Sequence, residues 1–160
     1  MMPGATPPTN PFTIGVAGMM VRRRKVLLVK LGYRSRNWIL PGGYLKPDET
    51  LTEGVKREVR EETGLLVEPS ELISMRNRIR KDGRNDVYFV FLAKVIGGKL
   101  EPDGHETTDA AYFSLSEMEK RSDIGKINTL TFREYLAKKR PRFRLTDYKP
   151  DPTDKFEFWA

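Results

Sequence analysis

The segment GGYLKPDETLTEGVKREVREETGL, from Gly42 to Leu65, constrains this chain more than any other. Five glutamates, Glu49, Glu53, Glu58, Glu61 and Glu62, fall within fourteen residues of a chain whose formal net charge is +7. The spacing predicts a helix. Thr50 followed three residues later by Glu53 fits a capping box, and Pro47 and Asp48 suit the turn before it. Leu51, Val55 and Val59 recur every fourth residue and supply an apolar stripe to bury. Gly64 falls where a left-handed C-terminal cap belongs. Gly54 dissents, since glycine inside a helix costs about 1 kcal/mol relative to alanine. A close approach by another backbone or a ligand accounts for it, and so does a tolerated defect.

On a helix, Glu58, Glu61 and Glu62 are neighbours at i, i+3 and i+4 and project from one side. Unpaired, they repel one another. A hard divalent cation removes that repulsion, and all-oxygen donors suit magnesium or manganese. The alternative is an ordinary solvated face on which Lys56, Arg57 and Arg60 pair with the acids. Pro41-Gly42-Gly43 lets the backbone turn tightly and approach a ligand, and Glu49 sits in the turn that leads into the helix.

Either side of this helix the pattern is of strands. Residues 1–11 hold four prolines and few large apolar groups, and read as a flexible arm. Phe12–Val21 reads as a first strand, VRRRK as a polar turn and Val26–Leu31 as a buried second strand. WILPGG brings a short apolar run to a stop, with Trp38 packed under it. From Glu71 two long strands follow, with their turn at Lys81-Asp82-Gly83-Arg84. EPDGHETTDA reads as a loop and Ala111–Leu115 as a last short strand. SEMEKR and INTLTFREYLAKKR read as helices, the second with an apolar face of Ile127, Leu130 and Tyr135. The stretch 141–160 reads as an irregular tail.

Composition narrows the function. With 160 residues, one domain is expected over 12–140, with 38% hydrophobic residues to form its core. The absence of cysteine excludes disulfides, thiolate ligands and a cysteine nucleophile. No apolar run is long enough to span a bilayer, and the prolines of the N-terminus do not suit a signal peptide, so no membrane partner and a cytoplasmic location are expected. The positive charge suits an anionic partner, or serves solubility alone.

The acidic segment resembles the signature of the Nudix hydrolases, the MutT-like family. Its constrained positions are met by Gly43, Glu49, Arg57, Glu58, Val59, Glu61, Glu62, Gly64 and Leu65 without departure. The resemblance runs from about Phe12 to Lys139. It implies an α/β/α sandwich around a mixed β-sheet. It also implies magnesium- or manganese-dependent hydrolysis of a phosphoanhydride in a nucleoside diphosphate linked to another group. By position, Glu58, Glu61 and Glu62 become metal ligands with the carbonyl of Gly43, and Arg57 supports the site by pairing with Glu49. The general base falls to Glu62 or Glu61, with Glu106 the loop candidate ahead of Asp109 and Glu101. Two downstream markers of family branches are missing. Pro69 does not stand where ADP-ribose hydrolases carry a proline, and Tyr88 lies too far along for the tyrosine of diadenosine polyphosphate hydrolases.

Outside that signature, Arg76, Arg78 and Arg80 alternate along one strand face. They line a polyphosphate channel, or form a solvated face that blunts a sheet edge. Lys138, Lys139, Arg140, Arg142 and Arg144, with Phe143 and Tyr148, keep an RNA partner open beside a small nucleotide. A basic helix end favoured by the helix dipole is the simpler account. Phe156, Phe158 and Trp159 suit docking on the body or across a homodimer interface. His105, the single histidine, reads as a surface residue. A nucleotide-sensing module without turnover is the alternative class, and the intact glutamate set argues against it.

Overall fold

The computed structural model describes residues 11–33 and 38–138, together with positions 143, 145, 147 and 157. Phe12–Met19 forms β1, and Val21–Arg22 forms β2. Arg23 and Arg24, at φ 49° and 60°, make the tight turn into β3, Lys25–Leu31. Trp38–Ile39 and Gly42–Tyr44 are β4 and β5, and Leu51–Thr63 is α1. The long hairpin is β6, Leu65–Ile79, and β7, Asn85–Gly98. Thr107–Ser114 is β8, Leu115–Glu119 is α2 and Lys126–Ala137 is α3.

The strands form two sheets. One has the order β5-β1-β7-β6, with β1 and β7 parallel and the other pairs antiparallel, and so is mixed. In the other, β3 pairs with β2, β4 and β8. Side chains alternate across a strand, and the core divides accordingly. Val16, Leu27 and Phe91 pack with Val55 and Val59 of α1. Ala17, Leu28 and Val90 pack with Met118 of α2 and Phe132 of α3. The result is the α/β/α sandwich, with helices on both faces of the strands. No helix among the described residues is long and apolar enough to cross a membrane.

The helix α1 forms as its sequence dictates. Thr50 accepts from the Glu53 amide while the Glu53 carboxylate accepts from the Thr50 amide. Gly64 ends the helix at φ 74°, its N–H donating to Arg60 O at 2.9 Å. Gly54 is a close-approach glycine, because a Cβ there would meet Leu45 Cδ1 at 2.5 Å. Trp38 is buried and packs edge-on against Phe113, with ring centroids 4.9 Å apart.

Three expectations are corrected. β6 begins at Leu65, ahead of Glu71, because register shifts at Leu66/Val67 and Pro69/Glu71 carry the strand past a proline that cannot donate to a ladder. β8 begins at Thr107, so Asp109 lies in a strand. The buried residues of α3 are Thr129, Thr131 and Phe132, while Ile127 and Leu130 are exposed. Thr131 turns inward at little cost because its hydroxyl donates to Ile127 O at 2.8 Å.

The expected arm lies, but for Pro11, outside the described residues, as do Lys139, Arg140, Arg142, Arg144, Tyr148, Phe156, Phe158 and Trp159. Of the stretch 141–160, Phe143 O accepts from Leu72 N at 2.9 Å, and Glu157 accepts from the Thr52 hydroxyl.

Candidate active site

Burial sorts the three neighbouring glutamates of α1. Glu62 follows Val55 and Val59 at i+7 and i+3, so it shares their inward face and is only 5% exposed. Its Oε2 accepts from Gly42 N at 2.8 Å. Glu58 lies one turn earlier, against Gly43, with a side chain 14% exposed. Glu61 faces outward, its side chain 55% exposed.

Arg57 ties this cluster together. Its Nε donates to Glu49, and its Nη2 donates to Glu49 Oε2 at 2.9 Å and to Tyr44 O at 3.0 Å. Its Nη1 donates to Glu58 Oε1 at 2.7 Å and to Glu61 Oε2 at 3.1 Å. The Arg57 hydrogen bonds hold the Glu49 carboxyl down at about 2. Glu58 moves the other way. Burial raises it, the Arg57 contact lowers it, and the charges of Glu61 and Glu106 raise it further. Burial pushes Glu62 up to about 8. The Gly42 amide opposes that rise, and Glu58, Glu106 and Asp103 add to it.

Glu106 arrives from the loop before β8. Asp103 Oδ1 accepts from His105 N at 2.8 Å and from Thr107 N at 3.0 Å, folding the loop on itself. Gly32 N donates to Glu106 O at 3.1 Å, and Thr107 Oγ1 lies 2.9 Å from Glu62 O. These bonds fix the backbone of Glu106 beside that of Glu62.

Glu58, Glu62 and Glu106 line one cleft of about 1060 Å³. Gly43, Arg57, Arg76, Arg78 and Arg80 line the same cleft, so the strand arginines and the helix carboxylates border one space. Arg80 Nη1 donates to Tyr44 Oη at 3.0 Å. The exposed Ile127 and Leu130 of α3 and Met75 of β6 give the cleft an apolar wall. Glu61, Glu101 and Asp109 do not line it. Asp86 and Tyr88 do; the sequence reading passed over Asp86 and set Tyr88 aside as standing too far along for a family marker. Their only signal was a position on a long strand, which does not tell which neighbours the register supplies.

The donor set suits a hard divalent cation. Glu58, Glu61, Glu62 and the Gly43 carbonyl offer only oxygen, and Glu58 and Glu62 are raised first by burial and then by neighbouring carboxylates, both of which a bound cation would offset. Among the described residues no three acidic or histidine side chains already stand at metal-binding separation. Glu58 and Glu61 instead share the Arg57 guanidinium.

Known proteins resemble this chain in sequence and in fold. Residues 11–133 match the NUDIX domain family. An ADP-ribose pyrophosphatase from Methanocaldococcus jannaschii is 34% identical over 113 residues, covering 67% of this chain and 64% of that protein. A MutT-like protein from Streptomyces ambofaciens is 33% identical over 144 residues, covering 90% of this chain and 88% of that one. The solved structure of a NUDIX hydrolase from Nitrosomonas europaea superposes with a TM-score of 0.68 at 26% identity, covering 80% of this chain and 90% of the other. The chain spans 64% of the first of these curated relatives, and 28% and 34% of two further ones. With its signature helix, its sandwich and a match running across most of its length, the chain belongs to the NUDIX domain family.

Proposed function

We propose that this protein is a metal-dependent pyrophosphohydrolase of nucleotides. It cleaves a phosphoanhydride in a nucleoside triphosphate, or in a nucleoside diphosphate linked to another group. The observation that carries this reading is the meeting of Glu58, Glu62 and Glu106 with four arginines in one cleft. A protein built only to bind a polyphosphate needs the arginines but gains nothing from buried carboxylates that repel it.

The proposed cation, magnesium or manganese, is held by Glu58, Glu62 and the Gly43 carbonyl, with Glu61 the further ligand from the same turn. When bound, such an ion activates a water and offsets charge building on a phosphoryl group. The chain's own residues do the rest. Arg57 holds Glu58 and Glu61 in place while pinned to Glu49. Glu62, or Glu106 beside it in the cleft lining, takes the proton from the attacking water. Glu61, outside the cleft lining, is the weaker candidate for base. Arg76, Arg78 and Arg80 hold anionic oxygens of the substrate, and the wall of Ile127, Leu130 and Met75 suits a nucleobase.

The ADP-ribose pyrophosphatase and MutT-like relatives support the reaction class. The substrate within that class is decided by a panel of nucleoside triphosphates, sugar nucleotides, ADP-ribose, dinucleoside polyphosphates and 5′-triphosphate RNA. Each is incubated with magnesium and with manganese, and products are identified by mass. Release of a nucleoside monophosphate, phosphate or pyrophosphate that stops on adding EDTA is expected. No metal-dependent product from any member would leave the protein a nucleotide-binding module.

A further inference from the structure

Asp86 is 2% exposed, the most deeply buried acid among the described residues, and the reaction outlined above does not use it. The register places it between Thr13 of β1 and Arg78 of β6. Thr13 Oγ1 donates to Asp86 Oδ1 at 2.7 Å. Arg76 Nη2 and Arg78 Nη2 both approach Asp86 Oδ2, at 3.0 Å and 3.5 Å. A carboxylate this deep is costly unless paired and hydrogen-bonded, and here two guanidinium groups and a hydroxyl share it. One negative charge against two positive ones leaves the pair cationic toward the cleft.

Arg76 carries a second signal. Its guanidinium stands over the Tyr88 ring, 5.0 Å from the centroid, a cation–π contact that restrains it. Its Nε is buried and has no hydrogen-bond partner among the described residues. A buried donor without an acceptor is rare in folded proteins and calls for a specific cause. The Nε is enclosed by the protein, but the Arg76 side chain is 34% exposed and lines the cleft, so an anion there meets the guanidinium.

The two arginines also stand apart from the helix acids. Tyr44 is in register with Gly15, Gly15 with Tyr88, and Tyr88 with Arg76. Arg76 reaches back over β7 to Asp86 and Tyr88, so about two strand spacings, about 10 Å in all, separate its guanidinium from the backbone next to Gly43. Gly15 keeps the row open, since a Cβ there would lie 2.3 Å from the Tyr88 ring. A group held by Arg76 and Arg78 is thus a different part of the ligand from one held beside Glu58 and Glu62.

We propose that Asp86 is a positioning residue that fixes Arg76 and Arg78 as a binding site for an anionic group, phosphate or carboxylate, carried by the substrate beyond its cleaved anhydride. This rests on the cleft being the substrate site, but its test needs no turnover. The sign of one substitution separates positioning from simple charge. Acting only through its field, Asp86 would weaken anion binding, and its neutralisation would tighten it. Acting as an anchor, it orders the two guanidinium groups, and its loss weakens binding.

The test uses the full-length protein, labelled with nitrogen-15, in EDTA, titrated with inorganic pyrophosphate. The side-chain Nε–H resonances of Arg76 and Arg78 are assigned through Arg76→Lys and Arg78→Lys. Both resonances are expected to shift saturably, and Asp86→Asn to raise the Kd read from them at least fivefold. Thr13→Val, which removes a hydroxyl and no charge, raises it by a smaller factor. Wild-type resonances that stay still, or an Asp86→Asn Kd that falls or does not change, overturn the proposal. Should Asp86→Asn lose its backbone spectrum, Thr13→Val decides, and an unchanged Kd there is the overturning result. Hydrolysis with silent arginines would refute this site alone, and pyrophosphate binding without hydrolysis of any substrate would refute only the proposed reaction.

Discussion

A Cβ built on Gly43 would stand 2.6 Å from Glu58 Oε1, so the Glu58 carboxylate occupies space that a glycine at 43 leaves open. This is a steric demand on β5 made by a side chain one turn before the end of α1. Gly43→Ala is expected to displace that carboxylate while leaving the hydrophobic core untouched. The metal concentration needed for half-maximal activity should rise, and kcat/KM should fall about tenfold or more, equivalent to about 1.4 kcal/mol or more. Steady-state kinetics across a magnesium series, with a thermal melt as control, checks this. An unchanged metal requirement would remove Glu58 from the proposed ligand set.

Arg57 serves three carboxylates and a carbonyl at once, with Glu49 and Glu58 side chains only 13% and 14% exposed. Hydrogen bonds to charged groups contribute about 1.5–3 kcal/mol each, and removing the shared cation strands two partly buried acids. Arg57→Ala is expected to lose about 2–4 kcal/mol in urea denaturation. Arg57→Lys should recover only part, because an ammonium cannot reproduce the planar fork. Glu49, held at about 2 against an ordinary 4.5, contributes stability that is full above pH 4.5 and is lost as pH falls towards about 2. Glu49→Gln should therefore flatten the acid limb of a stability-against-pH curve, and an unaltered acid limb would show that the pair does not stabilise the fold.

These features differ in how far the sequence disclosed them. Thr50, Glu53 and Gly64 were legible because a cap is a local matter, settled within one turn of helix. The acidic helix and its resemblance to a known signature likewise depend on spacing alone. The burial of Glu62 was within reach, since it follows Val55 and Val59 on one face, yet three neighbouring glutamates read as an equal set until packing distinguishes them. The pairing of Arg76 and Arg78 with Asp86 was not legible. Arg76, Arg78 and Asp86 share one hairpin, but which residues stand opposite depends on its exact register, and Thr13 joins from a distant strand. Ile127 and Leu130 were read as the packed face of α3 because apolarity does not distinguish a core from a cleft wall. Thr129 and Thr131 then took the inward positions.

Glu62 makes stability depend on pH in the opposite sense to Glu49. Burial raises its folded-state value from 4.5 to about 8. Between those values the unfolded chain releases the proton and the folded chain keeps it. Stability of the metal-free protein is therefore expected to fall as pH rises through this window and to level off above it, with a total loss of up to about 5 kcal/mol. Denaturation in EDTA at pH 5.5, 7 and 8.5 reads the slope. Glu62→Gln should abolish it, and magnesium at pH 8.5 should restore stability by binding the ionised form. A wild-type profile as flat as that of Glu62→Gln would mean that Glu62 ionises freely in the fold.

The general base is decided by comparing the two carboxylates whose backbones the Thr107 hydroxyl brings together, Glu62 and Glu106. General-base catalysis supplies about 10²–10⁴ in rate. If Glu106 is the base, Glu106→Gln lowers kcat by about a hundredfold or more even at saturating magnesium, because the proposed cation ligands are untouched. A fall of less than about threefold is too small for that role and passes it to Glu62. Glu62→Gln should lower kcat and raise the magnesium requirement together, since in the proposed site its carboxylate also holds the cation. The split between the two variants is informative because both acids act electrostatically on Glu58. A variant acting only by neutralising charge near Glu58 would leave kcat at saturating magnesium intact and shift the metal affinity alone.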